Sequence, residues 1–284
     1  MKLKIRGKRI LIILIIFIGL LVFFRWQNNS ITINEVIIQS NKIEEELDGY
    51  KILQISDLHN KEFGSGQRDI LKKIEKINPD IIVVTGDLID SSKTNVEVAM
   101  DLIKGASEIA SIFYVSGNHE AGSGVYEDLR IKLEEAGVYV LEDEKIDIIK
   151  GGSTIDLIGL SDPNFLEPDA LKYNKHSEIE SKLKKVIGDN NNFKILLSHR
   201  PELFDIYSSS EVDLVFSGHA HGGQFRLPFI GGIIAPDQGL FPKLTEGIHK
   251  KDNTTMIISR GLGNSIIPIR IFNRPEIIVV TLSK

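Results

Sequence analysis

The chain opens on an uninterrupted apolar block and then settles into short apolar runs separated by amphipathic stretches. The runs Tyr50–Ser56, Ile81–Thr85, Ile112–Ser116, Val138–Leu141, Thr154–Gly159, Phe193–Ser198 and Val212–Ser217 are rich in Ile and Val. Each is bounded by Gly, Asn, Asp or Pro, which predicts strands. Gln224–Leu227, Thr254–Ser259 and Glu276–Leu282 are further β candidates. Over Gln67–Lys76, Asn95–Ile109, Val125–Ala136 and Ser177–Ile187 apolar residues recur every three or four positions, the spacing of helices that bury one face. Strand–helix alternation predicts one layered α/β domain over residues 31–284, mostly β after Val212.

The opening block, Ile10 to Phe24, is fifteen residues without a polar side chain. That is short for a spanning helix, but Arg25 can snorkel and Trp26 favours the interface, so both extend it. The block is apolar all round, unlike a core helix, and no pair of small residues marks a cleavage site after it. Residues 1–30 are therefore expected to form a basic tail and an uncleaved transmembrane anchor. Five basic residues precede the block and one follows it, which predicts a cytoplasmic N-terminus and a body on the outer face of the cell membrane.

Composition narrows the function. There is no cysteine, which excludes disulfides, thiolate ligands and a cysteine nucleophile. Setting aside the six basic residues of the first 25 leaves 28 basic against 39 acidic residues in the remainder. So acidic a body is unsuited to stable nucleic-acid binding, which relies on clustered Lys and Arg. A small phosphorylated substrate stays compatible if bound cations dominate the local field.

The chemistry lies where the strands end. Asp57-Leu58-His59, Gly86-Asp87, Gly117-Asn118-His119-Glu120, His199 and Gly218-His219-Ala220-His221 each follow an apolar run. Taken singly, such groups are capping residues, turns or hydrogen-bonded histidines. Together they repeat one pattern five times, and ligands in open α/β sheets gather beyond the carboxyl ends of strands. Imidazoles, carboxylates and an amide, with no sulfur, suit Mn, Fe or Zn better than Ca or Mg. Seven such ligands are too many for one four-coordinate ion and suffice for two if a carboxylate bridges.

The ordered set Asp-x-His, Gly-Asp, Gly-Asn-His-Glu, His and Gly-His-x-His resembles the calcineurin-like metallophosphoesterases, from about Tyr50 to the end of the chain. The segments from Gly218 to Phe225, Pro242 to Gly247 and Ser259 to Asn264 are similar to its membrane-anchored bacterial branch. The resemblance implies a four-layer α/β/β/α sandwich. It implies one metal held by Asp57, His59, Asp87 and His221, and a second by Asp87, Asn118, His199 and His219. His119 would contact the substrate and protonate or stabilise the leaving oxygen as metal-activated water attacks phosphorus. The implied substrate is a phosphomonoester or phosphodiester, lipid-linked and nucleotide esters included. The alternative is a non-catalytic metal-binding membrane adaptor, which spoiled ligand positions would favour, and none is spoiled.

Two neighbours of these motifs are substrate candidates. Arg200 could clamp a phosphate oxygen or form an ion pair at a helix start. Asn60 could donate to a phosphoryl oxygen or close a strand. His176 and His249 lie in polar stretches and read as surface residues. A serine-hydrolase elbow is missing, and Gly261-x-Gly263 is too short for a dinucleotide fingerprint.

Overall fold

The computed structural model describes residues 2–227, 229–264 and 269–284. The apolar block lies within helix α1 (Lys2–Asn29). Residues 7–29 of it are long and apolar enough to cross a membrane, and its apolar window is not buried against the body. The strands follow as β1 (Thr32–Gln39), β2 (Lys51–Ile55), β3 (Ile81–Thr85), β4 (Ser111–Val115), β5 (Tyr139–Val140), β6 (Glu144–Lys150), β7 (Ser153–Gly159), β8 (Phe193–Leu197) and β9 (Leu214–Ser217). Four two-residue strands come next: β10 (Arg226–Leu227), β11 (Gly231–Gly232), β12 (Ile234–Ala235) and β13 (Gly239–Leu240). The chain closes with β14 (Gly247–Lys251), β15 (Thr254–Ile258) and β16 (Glu276–Ser283). The other helices are α2 (Arg68–Ile77), α3 (Val96–Ser107), α4 (Asn118–Ser123), α5 (Tyr126–Glu135), α6 (Lys175–Val186) and α7 (Phe204–Ser209).

Two six-stranded sheets result, in the orders β1-β16-β2-β3-β4-β5 and β14-β15-β9-β8-β7-β6. Within them β2-β3-β4-β5 and β15-β9-β8-β7 run parallel. The period-2 alternation of a strand sets the layers. Ile52, Val83, Phe113 and Val280 of the first sheet face Leu157, Ile195, Phe216 and Ile257 of the second across a shared core. Leu53, Ile82 and Val84 point the other way, onto Ile70 and Ile74 of α2 and Leu102 and Ile103 of α3. Leu196, Val215 and Met256 likewise meet Ile179 and Leu183 of α6 and Phe204 and Tyr207 of α7. This is the four-layer α/β/β/α sandwich.

Strands covered on both faces are near-continuous apolar runs, which is why β3 and β8 announce themselves in the sequence. The strands of the two large sheets that the pattern did not predict, β1, β6 and β14, lie at sheet edges. Their half-exposed, charge-bearing sequences are typical of edges that avoid further pairing. Parallel order brings the carboxyl ends of β2, β3, β4, β8 and β9 to one rim, and the five polar groups sit on that rim.

Candidate metal centre

Asp57 and His59 follow β2, and both have φ values in the left-handed region, 52° and 47°. Asp87 after β3 and His219 and His221 after β9 share it, at 54°, 66° and 47°. Few non-glycine residues adopt this conformation, and strain of this kind concentrates at functional sites. It turns each side chain back over the rim. Close packing between loops makes the turns possible. A Cβ on Gly218 would overlap Ser56 Oγ, and one on Gly117 would overlap Asp87 Oδ1.

Two ligand groups result, and they share Asp87. Asp57, His59, Asp87 and His221 converge, all buried. His59 Nε2 lies 3.1 Å from His221 Nε2 and 3.5 Å from Asp87 Oδ2, and His221 Nε2 lies 3.3 Å from Asp57 Oδ1. On the other side of Asp87, its Oδ2 is 3.2 Å from His199 Nε2. His199 Nε2 is in turn 3.2 Å from His219 Nδ1 and 3.1 Å from Asn118 Oδ1. All seven candidate ligands are therefore brought together.

Neighbouring groups orient them. His199 Nδ1 donates to Thr85 O at 2.8 Å, which turns its Nε2 toward the cluster. Asp57 accepts from the backbone N–H of His219 and from Ser56 Oγ. Asp87 Oδ1 accepts from His119 N at 2.9 Å. Glu120, wholly buried, accepts from the N–H groups of Asp87 and Gly117, each at 2.8 Å, and so ties two strand-end loops together.

The electrostatics favour positive charge. Burial works against a charge on His199, but the adjacent Asp87 carboxylate overcomes it and pushes the imidazole up to about 10. Burial would raise Asp87, and its pairing with His199 instead holds it well below the usual carboxylate range. His221 is driven well below its ordinary value, first by burial and then by the charge of His59. Imidazole nitrogens and carboxylate oxygens converging at 3.1 to 3.5 Å around the shared Asp87 carboxylate fit a bound metal cation, and no thiolate is needed.

His119 stands at the edge of the cluster, its ring centroid 4.4 Å from that of His59. Its Nδ1 accepts from Ser91 N at 3.0 Å, so the neutral ring carries its proton on Nε2. His176 is exposed, and the ring of half-buried His249 bonds to Glu246 O.

The two substrate candidates are placed differently from the phosphate-contact expectation. Arg200 is buried, and its Nε and Nη2 meet the Asp162 carboxylate at 2.5 and 3.0 Å. That ion pair occupies its bidentate edge. Nη1 reaches His219 Nε2 at 3.0 Å and also Asp237, which itself lies 3.1 Å from His219 Nε2. Asn60 donates to Lys93 O at 2.6 Å and accepts from Asn95 N at 3.3 Å, so its amide pins a loop.

Sequence reasoning missed the carboxylates that support the ligands. Asp90 lies 3.7 Å from His59 Nδ1, Asp162 anchors Arg200, and Asp237 faces His219. The rule that picks out the candidate ligands also reaches Asp162, which stands three residues past the end of β7.

The chain is similar to several known proteins. The family model for calcineurin-like phosphoesterases matches residues 50–223. Metallophosphoesterase YkuE of Bacillus subtilis is 32% identical over 262 residues, covering 89% of this chain and 86% of that protein. A Danio rerio transmembrane protein with a metallophosphoesterase domain is 26% identical, covering 88% of this chain and 57% of its own length. Among solved structures, a dimetal phosphatase from Danio rerio aligns with a TM-score of 0.44 at 12% identity, over 76% of this chain and 88% of its own.

Proposed function

The chain belongs to the calcineurin-like phosphoesterase family and is a metal-dependent phosphoric ester hydrolase, and from that premise we propose a membrane-anchored enzyme with two metal ions per chain. It cleaves phosphomonoesters or phosphodiesters, lipid-linked or nucleotide esters among them. Residues 1–30 form the cytoplasmic tail and anchor, and 31–284 the catalytic domain on the outer face. The observation that carries the two-metal reading is the position of Asp87 between two ligand groups.

Asp57, His59, Asp87 and His221 would hold one ion, and Asp87, Asn118, His199 and His219 the other. Bound Mn, Fe or Zn ions supply Lewis-acid polarisation of phosphoryl oxygens and an ionised water at neutral pH. The chain's own contribution is orientation. Thr85 O fixes His199, Asp90 faces His59, and the Asp162–Arg200 pair backs His219. His119, kept by Ser91 N as an Nε2–H donor, offers that hydrogen to the departing or phosphoryl oxygen.

The test is hydrolysis of p-nitrophenyl phosphate and bis-p-nitrophenyl phosphate by the purified chain, with Mn added and after chelation. Turnover that vanishes on chelation and returns with Mn supports the reading, and the preferred ester separates monoesterase from diesterase. Two tightly bound metals with no turnover on either ester would favour the adaptor.

A further inference from the structure

The body exposes scattered single apolar side chains, such as Ile37, Ile149 and Tyr173, but gathers several around one platform beside the metal centre. Phe229 is fully exposed there, Leu240 and Phe241 are 69% and 65% exposed, and Leu227, Ile230, Ile269 and Phe272 add to them. A contiguous apolar patch of this kind marks an interaction surface, whereas single exposed residues do not.

The platform is one connected piece. Phe225 bridges to Ile271, and Arg226 N donates to Ile271 O at 3.1 Å. Ile233 N donates to Phe225 O at 3.0 Å, and Phe241 N donates to Ile233 O at 2.8 Å. Leu227, Phe229 and Phe272 line a common shallow recess.

Its position relative to helix α1 says what covers it. The Phe272 ring lies 5.9 Å from that of Phe23, in the last apolar turns of the helix. Arg274 stacks over Trp26 at 4.6 Å, and Arg270 N donates to Asn28 Oδ1 at 2.9 Å. A helix held in this way fixes depth. With α1 across a bilayer, Phe23 sits where hydrocarbon meets headgroups, and Phe272 lies at the same level. Aromatic side chains favour that zone.

Two polar residues of the platform reach the metal centre. Asn273 donates to His221 O at 2.6 Å, and Asp237, between β12 and β13, faces His219 Nε2 at 3.1 Å. We propose that the platform formed by residues 225–227, 229–241 and 269–273 seats on the phospholipid bilayer that α1 crosses, with Phe229, Leu240, Phe241 and Phe272 entering the interface. The metal centre then opens at the level of headgroup phosphates. This inference rests on the anchor reading above.

The absence of cysteine makes the test free of background labelling. Single cysteines at Phe229, Phe241, Leu14 and Ile149 of the full chain carry an environment-sensitive fluorophore. The chains are reconstituted in vesicles of three parts phosphatidylcholine to one of phosphatidylglycerol, with and without doxyl-labelled lipid. Leu14 reports the anchor. Exposed Ile149 is the control, because β6 ends beside the Lys150–Asp80 pair, at the amino ends of the parallel strands. Turnover of p-nitrophenyl phosphate equal to that of the parent chain certifies folding of each variant.

Labels at 229 and 241 are expected to shift to the blue and to lose emission to doxyl lipid as the Leu14 label does, while the Ile149 label is unaffected. The L240S/F241S double substitution is expected to reduce quenching at 229 without changing turnover. Quenching at Leu14 with water-like, unquenched labels at 229 and 241 overturns the proposal and leaves the anchor standing. An unquenched Leu14 label overturns the anchor reading, and the seating surface falls with it. Labels at 229 and 241 shielded from lipid and water alike, in a chain that cross-links to itself, assign the platform to a second copy and also overturn the proposal.

Discussion

At the scale of single residues, the candidate ligands were legible because each interrupts an apolar run at its end. Their supporting carboxylates were less so, since Asp90 and Asp237 lie in loops whose approach to His59 and His219 only tertiary structure sets. Asp87 and His119 separate binding from turnover. Replacing Asp87 with Ala removes the carboxylate common to both ligand groups, so metal content measured by atomic emission should fall together with activity. His119→Ala removes a donor at the edge of the cluster and no candidate ligand. It should keep the parent metal content while kcat falls about 100- to 1,000-fold, the usual loss for one preorganised donor. Parent turnover in that variant, with metals retained, would remove His119 from the chemistry.

At the scale of elements, the central strands were predicted to within two residues at each end and helices α2, α3, α5 and α6 to within about two, while the short α4 and α7 were missed. The edge strands were missed for a physical reason. A strand paired on both sides and covered on both faces has an apolar sequence, whereas β14, GlyIleHisLysLys, meets solvent along most of its length. Contacts between strand ends were likewise invisible in the sequence. Gly218 ends β9 against Ser56 and Asp57, which end β2, although the two strands belong to different sheets. Gly218→Ala forces these ends apart. Overpacking of this kind costs about 1–3 kcal/mol, and because it moves Asp57 directly, metal-dependent turnover should fall further than the loss of stability alone would explain. Urea unfolding combined with metal titration checks both. A variant with unchanged midpoint and unchanged metal affinity would show that the rim is looser than its geometry implies.

At the scale of the whole molecule, metal bound at the rim would act as part of the fold. The rim joins the two sheets through side chains from β2, β3, β4, β8 and β9, so cations bound there tie one sheet to the other. A ligand present at a hundred times its dissociation constant stabilises by about 2.7 kcal/mol. For a body of this size that corresponds to roughly 5–10 °C in the unfolding midpoint. Chelation is expected to lower the midpoint measured by calorimetry by that amount, and an unchanged midpoint would mean the rim is rigid without cations. The sheet order has a consequence in time. β16, the last strand, lies between β1 and β2, pairing parallel with one and antiparallel with the other. As the ribosome delivers the chain, every candidate ligand emerges before the strand that completes their first sheet. Until residues 276–283 appear, β1 has no partner strand among the described residues and β2 has an open edge, so the first sheet is completed only once synthesis has reached them. A chain halted shortly before them would carry the whole ligand set and still lack the sheet that holds Asp57 and Asp87 in register.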